Sequence, residues 1–283
     1  MTTDGVVTLR PVGDGFTVEA AGSTVGTGQI RDLGESTAEI TIDLDPAFRG
    51  RGYATRAVRL LVEYAFGELG FGRVQARVAT DNAAAVRVAR RAGLRNEGVV
   101  RVPAEVGDAY LLLGRLRDDP GPTDHGGFRA LLNSFLPRKR VIAQALVRDE
   151  SMRVLLCHPT YKNDWDLPGG VVEVRESPRD AAAREVLEEL GLQLPVDRLV
   201  LADWLPPWGG WDDALCLVFD AGTHPASILD GVVLQAREIR ATAFCSVAEV
   251  HDRAADFTAR RVVAALAAVE ADRPAFTESG RTP

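Results

Sequence analysis

The sequence predicts an α/β (α+β) fold in two domains, on three observations. The 283 residues amount to about two domains at roughly 100–200 residues each. Residues 118–127 hold two prolines and three glycines, a composition through which neither a helix nor a strand continues. Charge also shifts across that break. Residues 1–117 carry 15 Arg against 14 acidic residues, a balance of +1, and the remainder carries 18 basic against 26 acidic residues, a balance of −8. The expected organisation is a domain over 1–117, a linker over 118–136, a domain over 137–270 and a flexible tail over 271–283.

In the first half, 6–12, 16–20, 23–30 and 37–44 alternate or are β-branched and read as strands. Ala54, Ala57, Val58, Leu61, Val62, Ala65 and Phe66 recur at helical spacing over 53–69. Strands follow at 74–79 and 110–116, with a helix between them over 82–92 that stops at Gly93. After the break, 128–136 is a short apolar stretch with helical character. The second half has strands at 141–147, 154–158, 215–220 and 243–247. Between them Ser177 caps a helix over 178–190, with Pro178 in its first position, Asp180 in its first turn and Gly191 as its stop. An alanine-rich helix covers 254–270.

Composition narrows the function. With 46% hydrophobic and 26% charged residues the chain is not disordered. A net charge of −7 argues against coating nucleic-acid phosphates. No run approaches the ~18 apolar residues of a membrane span, so neither nucleic acid nor membrane is an expected partner. The start has no basic or apolar targeting run, and Cys157, Cys216 and Cys245 have no zinc or redox spacing. A cytoplasmic location with buried thiols is the expectation.

The sharpest chemical signal lies on the helix over 178–190. Glu185, Glu188 and Glu189 stand at i, i+3 and i+4 and share one face. Three neighbouring carboxylates repel, and a hard divalent cation removes that cost. Mg²⁺ takes oxygen ligands and normally engages substrate phosphates as well. Arg184 is placed to pair with Glu176 and tie the preceding loop to the helix. Gly169 and Gly170 allow close approach of the backbone to a metal or phosphate.

Gly170, Glu176, Arg184, Glu185, Val186, Glu188, Glu189, Gly191 and Leu192 stand at the spacing of the Nudix box, and the chain over 137–270 resembles the Nudix hydrolases. The run from Trp165 to Gly170 is similar to that family's approach to the box. The resemblance implies an α/β/α sandwich that hydrolyses a nucleoside diphosphate linked to another group. It implies Mg²⁺ or Mn²⁺ held by Glu185, Glu188, Glu189 and the carbonyl of Gly170, with Arg184 and Glu176 orienting the site. A box glutamate or a downstream carboxylate would activate the attacking water. Glu238, six residues before Phe244, is the candidate for the latter, with Asp212 and Asp213 as rivals. Pro207 stands where relatives that cleave ADP-ribose tend to carry proline. Trp204, Trp208 and Trp211 either stack on a base or sugar or pack a long loop. Lys162 either reaches a phosphate or is solvated.

Arg49, Gly50, Arg51 and Gly52 form a turn between a strand and the helix beginning at Tyr53. Free N–H groups and the helix dipole there favour a pyrophosphate. The turn, continued by Tyr53 and Ala54, resembles the pyrophosphate loop of the GCN5-related N-acetyltransferase (GNAT) superfamily, and Asn82 matches the asparagine of its ribosomal-protein-type members. The resemblance implies a mixed sheet with helices and an acetyl-CoA site formed by these residues. This chain departs from the pattern in three places. Only residues 13–15 stand where the family has a helical insert, Ala85 replaces a frequent serine, and Ala89 falls where many members have a tyrosine general acid. Glu39 or Asp43 is the remaining candidate base. The reading is a metal-dependent hydrolase of a small nucleoside-diphosphate compound, preceded by an acetyl-CoA-binding domain. Two alternatives stand beside it: a working N-acetyltransferase, and a CoA or nucleotide sensor without turnover.

Overall fold

A computed structural model describes residues 1–103 and 107–283. The chain forms two compact units, Met1–Pro137 and Arg138–Pro283.

The first unit opens with five strands in an antiparallel series: β1 (Thr2–Thr3), β2 (Val7–Val12), β3 (Gly15–Ala20), β4 (Ser23–Asp32) and β5 (Thr37–Leu44). Helix α1 (Tyr53–Gly67) follows, then β6 (Arg73–Ala79), α2 (Ala83–Arg91), β7 (Arg95–Val100), β8 (Tyr110–Leu116) and α3 (His125–Phe135). The sheet order is β1-β2-β3-β4-β5-β6-β8-β7. Leu61, Val58 and Ala65 of α1 pack on Leu9, Val18, Ala38 and Val74 in one core. The helical period of the apolar residues makes this stripe, and its burial drives α1 onto the sheet. Strands β5 and β6 pair in parallel only from Thr37 to Glu39, opposite Arg73 to Gln75. Beyond that point they diverge. The opening becomes a cleft of about 600 Å³ against α1 and α2.

The second unit contains β9 (Arg140–Asp149), β10 (Val154–Pro159), β11 (Gly169–Val171), α4 (Pro178–Leu190), β12 (Leu199–Leu205), β13 (Ala214–His224), β14 (Ile239–Cys245), α5 (Val247–Arg253), α6 (Asp256–Glu270) and β15 (Ala275–Glu278). The sheet order is β14-β10-β9-β13-β12-β15, with β11 paired to β9. Alternate residues go to opposite faces, as the pleat requires. Ala145, Val147, Leu155 and Cys157 join Val186 and Leu190 of α4, while Leu146, Val154 and Leu156 join Ala259, Val262 and Ala265 of α6. The result is an α/β/α sandwich.

Two expected boundaries are corrected. The linker over 118–136 is not a free connector. Its helix α3 belongs to the first unit, where the Ser134 hydroxyl accepts the Asn96 N–H at 3.0 Å and Phe135 packs on the core. Burial of Leu131 and Phe135 outweighs the Pro- and Gly-rich run before them. The flexible tail over 271–283 instead adds β15 in parallel to β12. Its Thr277 hydroxyl donates to Asp203 at 2.8 Å, and the Gly280 N–H donates to the same oxygen at 2.8 Å. Among the described residues no helix is long and apolar enough to cross a membrane.

Asp203 is fully buried and also accepts Arg261 Nε at 2.9 Å, with Arg261 only 2% exposed. Removing the acid strands a buried guanidinium. Asp203→Ala should therefore cost about 3–5 kcal/mol in urea unfolding of the full chain, and it should loosen β15. An unchanged midpoint would contradict the role given to this pair.

Candidate functional site

The acidic helix α4 is built as the sequence indicates. Ser177 Oγ accepts the Asp180 N–H at 3.2 Å, and Gly191 takes the left-handed conformation that ends the helix. One side of α4 is apolar and buried, which leaves the glutamates along the border between core and solvent. Glu189 is 9% exposed, and the Glu188 side chain is 54% exposed.

Arg184 organises the cluster. Its Nε and Nη2 donate to the two oxygens of Glu176 at 2.8 and 3.0 Å. Its Nη1 donates to Glu185 and to Glu188, both at 2.9 Å, and Nη2 also reaches the Val171 carbonyl at 3.3 Å. Glu176 accepts the Glu173 N–H at 3.0 Å. The bonds from Arg184, then that N–H, hold the Glu176 carboxyl down at about 2. A two-pronged guanidinium–carboxylate pair fixes orientation as well as distance.

Glu189 has the opposite environment. Burial pushes its carboxyl up to about 8, and the charges of Glu185, Asp166 and Glu238 add to the shift. Only the Gly169 N–H, which it accepts at 3.0 Å, works the other way. Glu185 is also raised, first by burial and then by Glu188 and Glu238 against the pull of Arg184. Buried carboxylates raised by one another lower their energy by sharing a cation. A Cβ at Gly170 would press on the Glu185 carboxylate and displace it, whereas at Gly169, with φ of 144°, a Cβ would run into the Ala143 backbone carbonyl, so the cradle requires glycine at Gly169. The donors are all hard oxygens, as Mg²⁺ or Mn²⁺ prefers. Among the described residues no three acidic, His or Cys side chains already converge at coordination distance, and Arg184 lies between Glu185 and Glu188. The residues fit a divalent cation in type and charge, and binding it requires the carboxylates to close up.

Glu238 lies on the segment before β14. Gln235 N–H donates to the Glu189 carbonyl at 3.0 Å, and Val233 N–H to the Leu190 carbonyl at 2.9 Å, so this segment is tied to the end of α4. The Glu238 side chain is exposed and has no hydrogen-bond or ion-pair partner among the described residues. Its rival Asp213 pairs with Lys139 and accepts Trp204 Nε1 at 3.3 Å.

Several residues near the box escaped the sequence reading. Asp166 accepts Lys162 Nζ at 2.7 Å, Gln144 Nε2 at 2.8 Å and the Leu167 N–H at 2.9 Å. Burial would raise its carboxyl, but Lys162 and Arg261 hold it below the usual range. Lys162 is thus an ion-pair partner of Asp166, with a third of its side chain exposed. Arg261 was hidden in an alanine-rich helix, and a charge on the apolar stripe of α6 is the signal that marks it.

In the first unit Arg49, Gly50, Gly52, Tyr53, Ala54 and Asn82 line the cleft. Gly52 sits at the N-cap of α1 with φ of 82°, and no side chain caps the helix. Its leading N–H groups therefore remain available to an anion. Two expected contacts differ. Arg51 is outside the cleft lining and lies over the Phe48 ring at 5.6 Å. Asn82 Oδ1 is occupied capping α2, accepting the Ala85 N–H at 3.0 Å. Glu39 is 5% exposed. It accepts Arg77 Nε and Nη2 at 2.6 and 2.8 Å and Arg31 at 2.6 Å. Burial would raise its carboxyl, but the two arginines outweigh that and lower it, which makes it a poor proton acceptor.

Comparison with known proteins follows the same division. Residues 7–95 match the acetyltransferase (GNAT) domain and residues 138–266 the NUDIX domain. A Mycobacterium tuberculosis protein provisionally named 8-oxo-dGTP diphosphatase 2 is 36% identical over 114 residues, covering 40% of this chain and 76% of the relative. A probable N-acetyltransferase of Bacillus subtilis is 39% identical over 87 residues, 31% of this chain and 48% of that protein. The chain spans about half the length, or less, of the first curated relatives it matches. Among solved structures, a MutT protein from Methanosarcina mazei Go1 aligns with a TM-score of 0.40 and 22% identity, covering 48% of this chain and 98% of that one. The chain belongs to the Nudix family, with a GNAT domain preceding its NUDIX domain.

Proposed function

We propose that the second unit is a Mg²⁺- or Mn²⁺-dependent hydrolase of a nucleoside diphosphate linked to another group. The observation that carries this reading is the grouping of Glu185 and Glu189, both raised by burial, against the Gly169–Gly170 backbone, where the Gly169 N–H donates to Glu189 at 3.0 Å and the Glu185 carboxylate fills the space beside Gly170. Glu185, Glu188, Glu189 and the Gly170 carbonyl would hold the cation. When bound, the cation neutralises phosphate charge and acidifies water. Arg184 and Glu176 keep the loop and helix in register, so the ligands are positioned before substrate arrives. Glu238, uncommitted and facing the same electrostatic environment, takes the proton of the attacking water. The relative named as an 8-oxo-dGTP diphosphatase makes oxidised purine nucleotides the first compounds to assay.

For the first unit the reading is an acetyl-CoA cleft, supported by the diverging strands and the uncapped α1. Glu39 locked between Arg31 and Arg77, together with Ala89 in place of a general acid, favours binding over transfer. A working N-acetyltransferase remains the alternative, and acetyl-CoA consumption with amine acceptors would establish it.

Phosphate or nucleotide release from a panel of nucleoside-diphosphate compounds tests the hydrolase. Glu238→Gln should lower kcat by about 10²–10⁴-fold with Mn²⁺ affinity retained. Glu189→Gln should lose both activity and tight Mn²⁺ binding. Metal-independent turnover, or full activity in Glu189→Gln, would exclude the site.

Glu189 also sets a pH dependence in chelator. Burial pushes its folded carboxyl up to about 8 from the ordinary 4.5, so its contribution to stability is complete below 4.5 and is lost as pH rises through 8. The Tm in EDTA should fall over that window, Mg²⁺ should restore it, and Glu189→Gln should flatten the profile. A wild-type Tm in EDTA that is level from pH 5 to 8.5 would contradict the assigned environment.

Calorimetric titration with acetyl-CoA tests the cleft. Arg49 is exposed and donates to the Leu44 carbonyl at 2.9 Å. Losing one charge-assisted contact to a phosphate should weaken binding of Arg49→Ala by about tenfold. Absence of any heat with wild type would remove the CoA reading.

A further inference from the structure

The connection between β12 and β13 ends in a tight hairpin. Trp208 and Trp211 exchange two backbone hydrogen bonds, at 3.1 and 2.9 Å. Between them Gly209 and Gly210 take φ of 58° and 87°. Two successive left-handed residues are the requirement of a type I′ turn, which glycine meets without strain. The turn fixes two indole rings at its base, yet they are 65% and 61% exposed.

Each ring is braced from one side. Trp208 meets the ring of Phe257 edge-on, with centroids 5.7 Å apart, and the Arg261 guanidinium lies over that same Phe257 ring at 5.6 Å. The Arg140 guanidinium lies 4.8 Å from the Trp211 centroid and is held there by its bond to the Asp212 carbonyl at 3.0 Å. Large aromatic surfaces are normally withdrawn from water. Here a rigid turn and two braces hold them out.

Strand register relates the hairpin to the acidic helix. Arg140 stands opposite Ala214 at the start of β13, and Gln144 on the same strand stands opposite Gly169. Four residues of strand cover roughly 13 Å, a span within reach of a nucleoside diphosphate.

We propose that the Trp208–Trp211 hairpin is the base-recognition element of the hydrolase unit. The planar heteroaromatic base of the substrate stacks on the exposed indoles while its diphosphate extends to Gly169, Gly170 and the glutamates. A purine covers more of an indole than a pyrimidine and binds more tightly. The proposal rests on the hydrolase reading, and its test separates the two.

The full chain is titrated with GDP, UDP and inorganic pyrophosphate in Mg²⁺, followed by indole fluorescence and calorimetry. GDP should quench fluorescence and bind more tightly than UDP. Trp208→Ala should weaken GDP by about tenfold and leave pyrophosphate unchanged, and Trp208→Phe should stay within about threefold of wild type. Unaltered GDP affinity in Trp208→Ala, or equal loss of GDP and pyrophosphate, would overturn the proposal. If wild type binds pyrophosphate as tightly as GDP, the base adds nothing. The hairpin role then fails while the hydrolase reading stands. If neither ligand binds in Mg²⁺, both fail.

Discussion

One guanidinium holds the acidic site in form. Arg184 forks onto Glu176 and reaches Glu185 and Glu188 from its other nitrogen. It ties the middle of the loop over 172–177 to α4, since Val172 packs on Ala181 and Ala182 and Ser177 caps the helix, but Val174 between them is exposed. The arginine also sorts the carboxylates. Glu176, doubly bonded to it, stays ionised at any ordinary pH, whereas Glu189, beyond its reach and buried, does not. A single side chain thus separates a structural acid from an acid whose charge needs a cation.

Around that centre the sandwich has a second polar spine. Asp203 bonds Arg261 and the β15 segment, Arg261 bonds Gln144 at 3.2 Å, and Gln144 bonds Asp166. These groups join α6, β12, β9 and the approach to the box through partners that are nearly all satisfied. Buried polar groups of this kind add little net stability, but they penalise every arrangement in which one partner is displaced. The box glycines continue directly from Asp166 and Leu167, so the spine that closes the C-terminal strand also sets where Gly169 meets Glu189.

Much of this was legible in the sequence, for identifiable reasons. The helix α4 carries its cap, its stop and its acidic face within one contiguous segment, and local signals of that kind survive folding unchanged. The strands β2 to β5 were equally plain, because an antiparallel sheet open to solvent on one side alternates. Strand β12 was not, because Asp203 interrupts an otherwise apolar run and becomes acceptable only through Arg261 and Thr277, 58 and 74 residues away. Strand β15 is four residues long and exists by pairing with β12. The helix α5 was obscured because Ser246 and Glu249 form a capping box directly after β14, and the strand pattern runs into it. In the cleft, sequence placed the turn but not the fate of Arg51 or of the Asn82 oxygen, which depend on what else is within reach.

The charge imbalance between the two halves bears on how each can hold an anion. Residues 1–117 are balanced at +1, and the cleft there offers Arg49 and the bare N–H groups of α1. A diphosphate can dock on those groups directly. The second half stands at −8, and Glu189, the most buried of its box glutamates, faces further carboxylates. A phosphate approaching that face meets repulsion at every distance inside the Debye length, about 8 Å in physiological salt. Arg184, the one cation among the glutamates, is already committed to three of them. Charge therefore opposes direct anion binding at that face, and a bridging divalent cation, as proposed for this site, would reverse the sign. The same two features, a glycine-rich backbone and a helix end, serve opposite electrostatic regimes in the two units, and the difference was set by which residues flank the glycines: arginines in one, glutamates in the other.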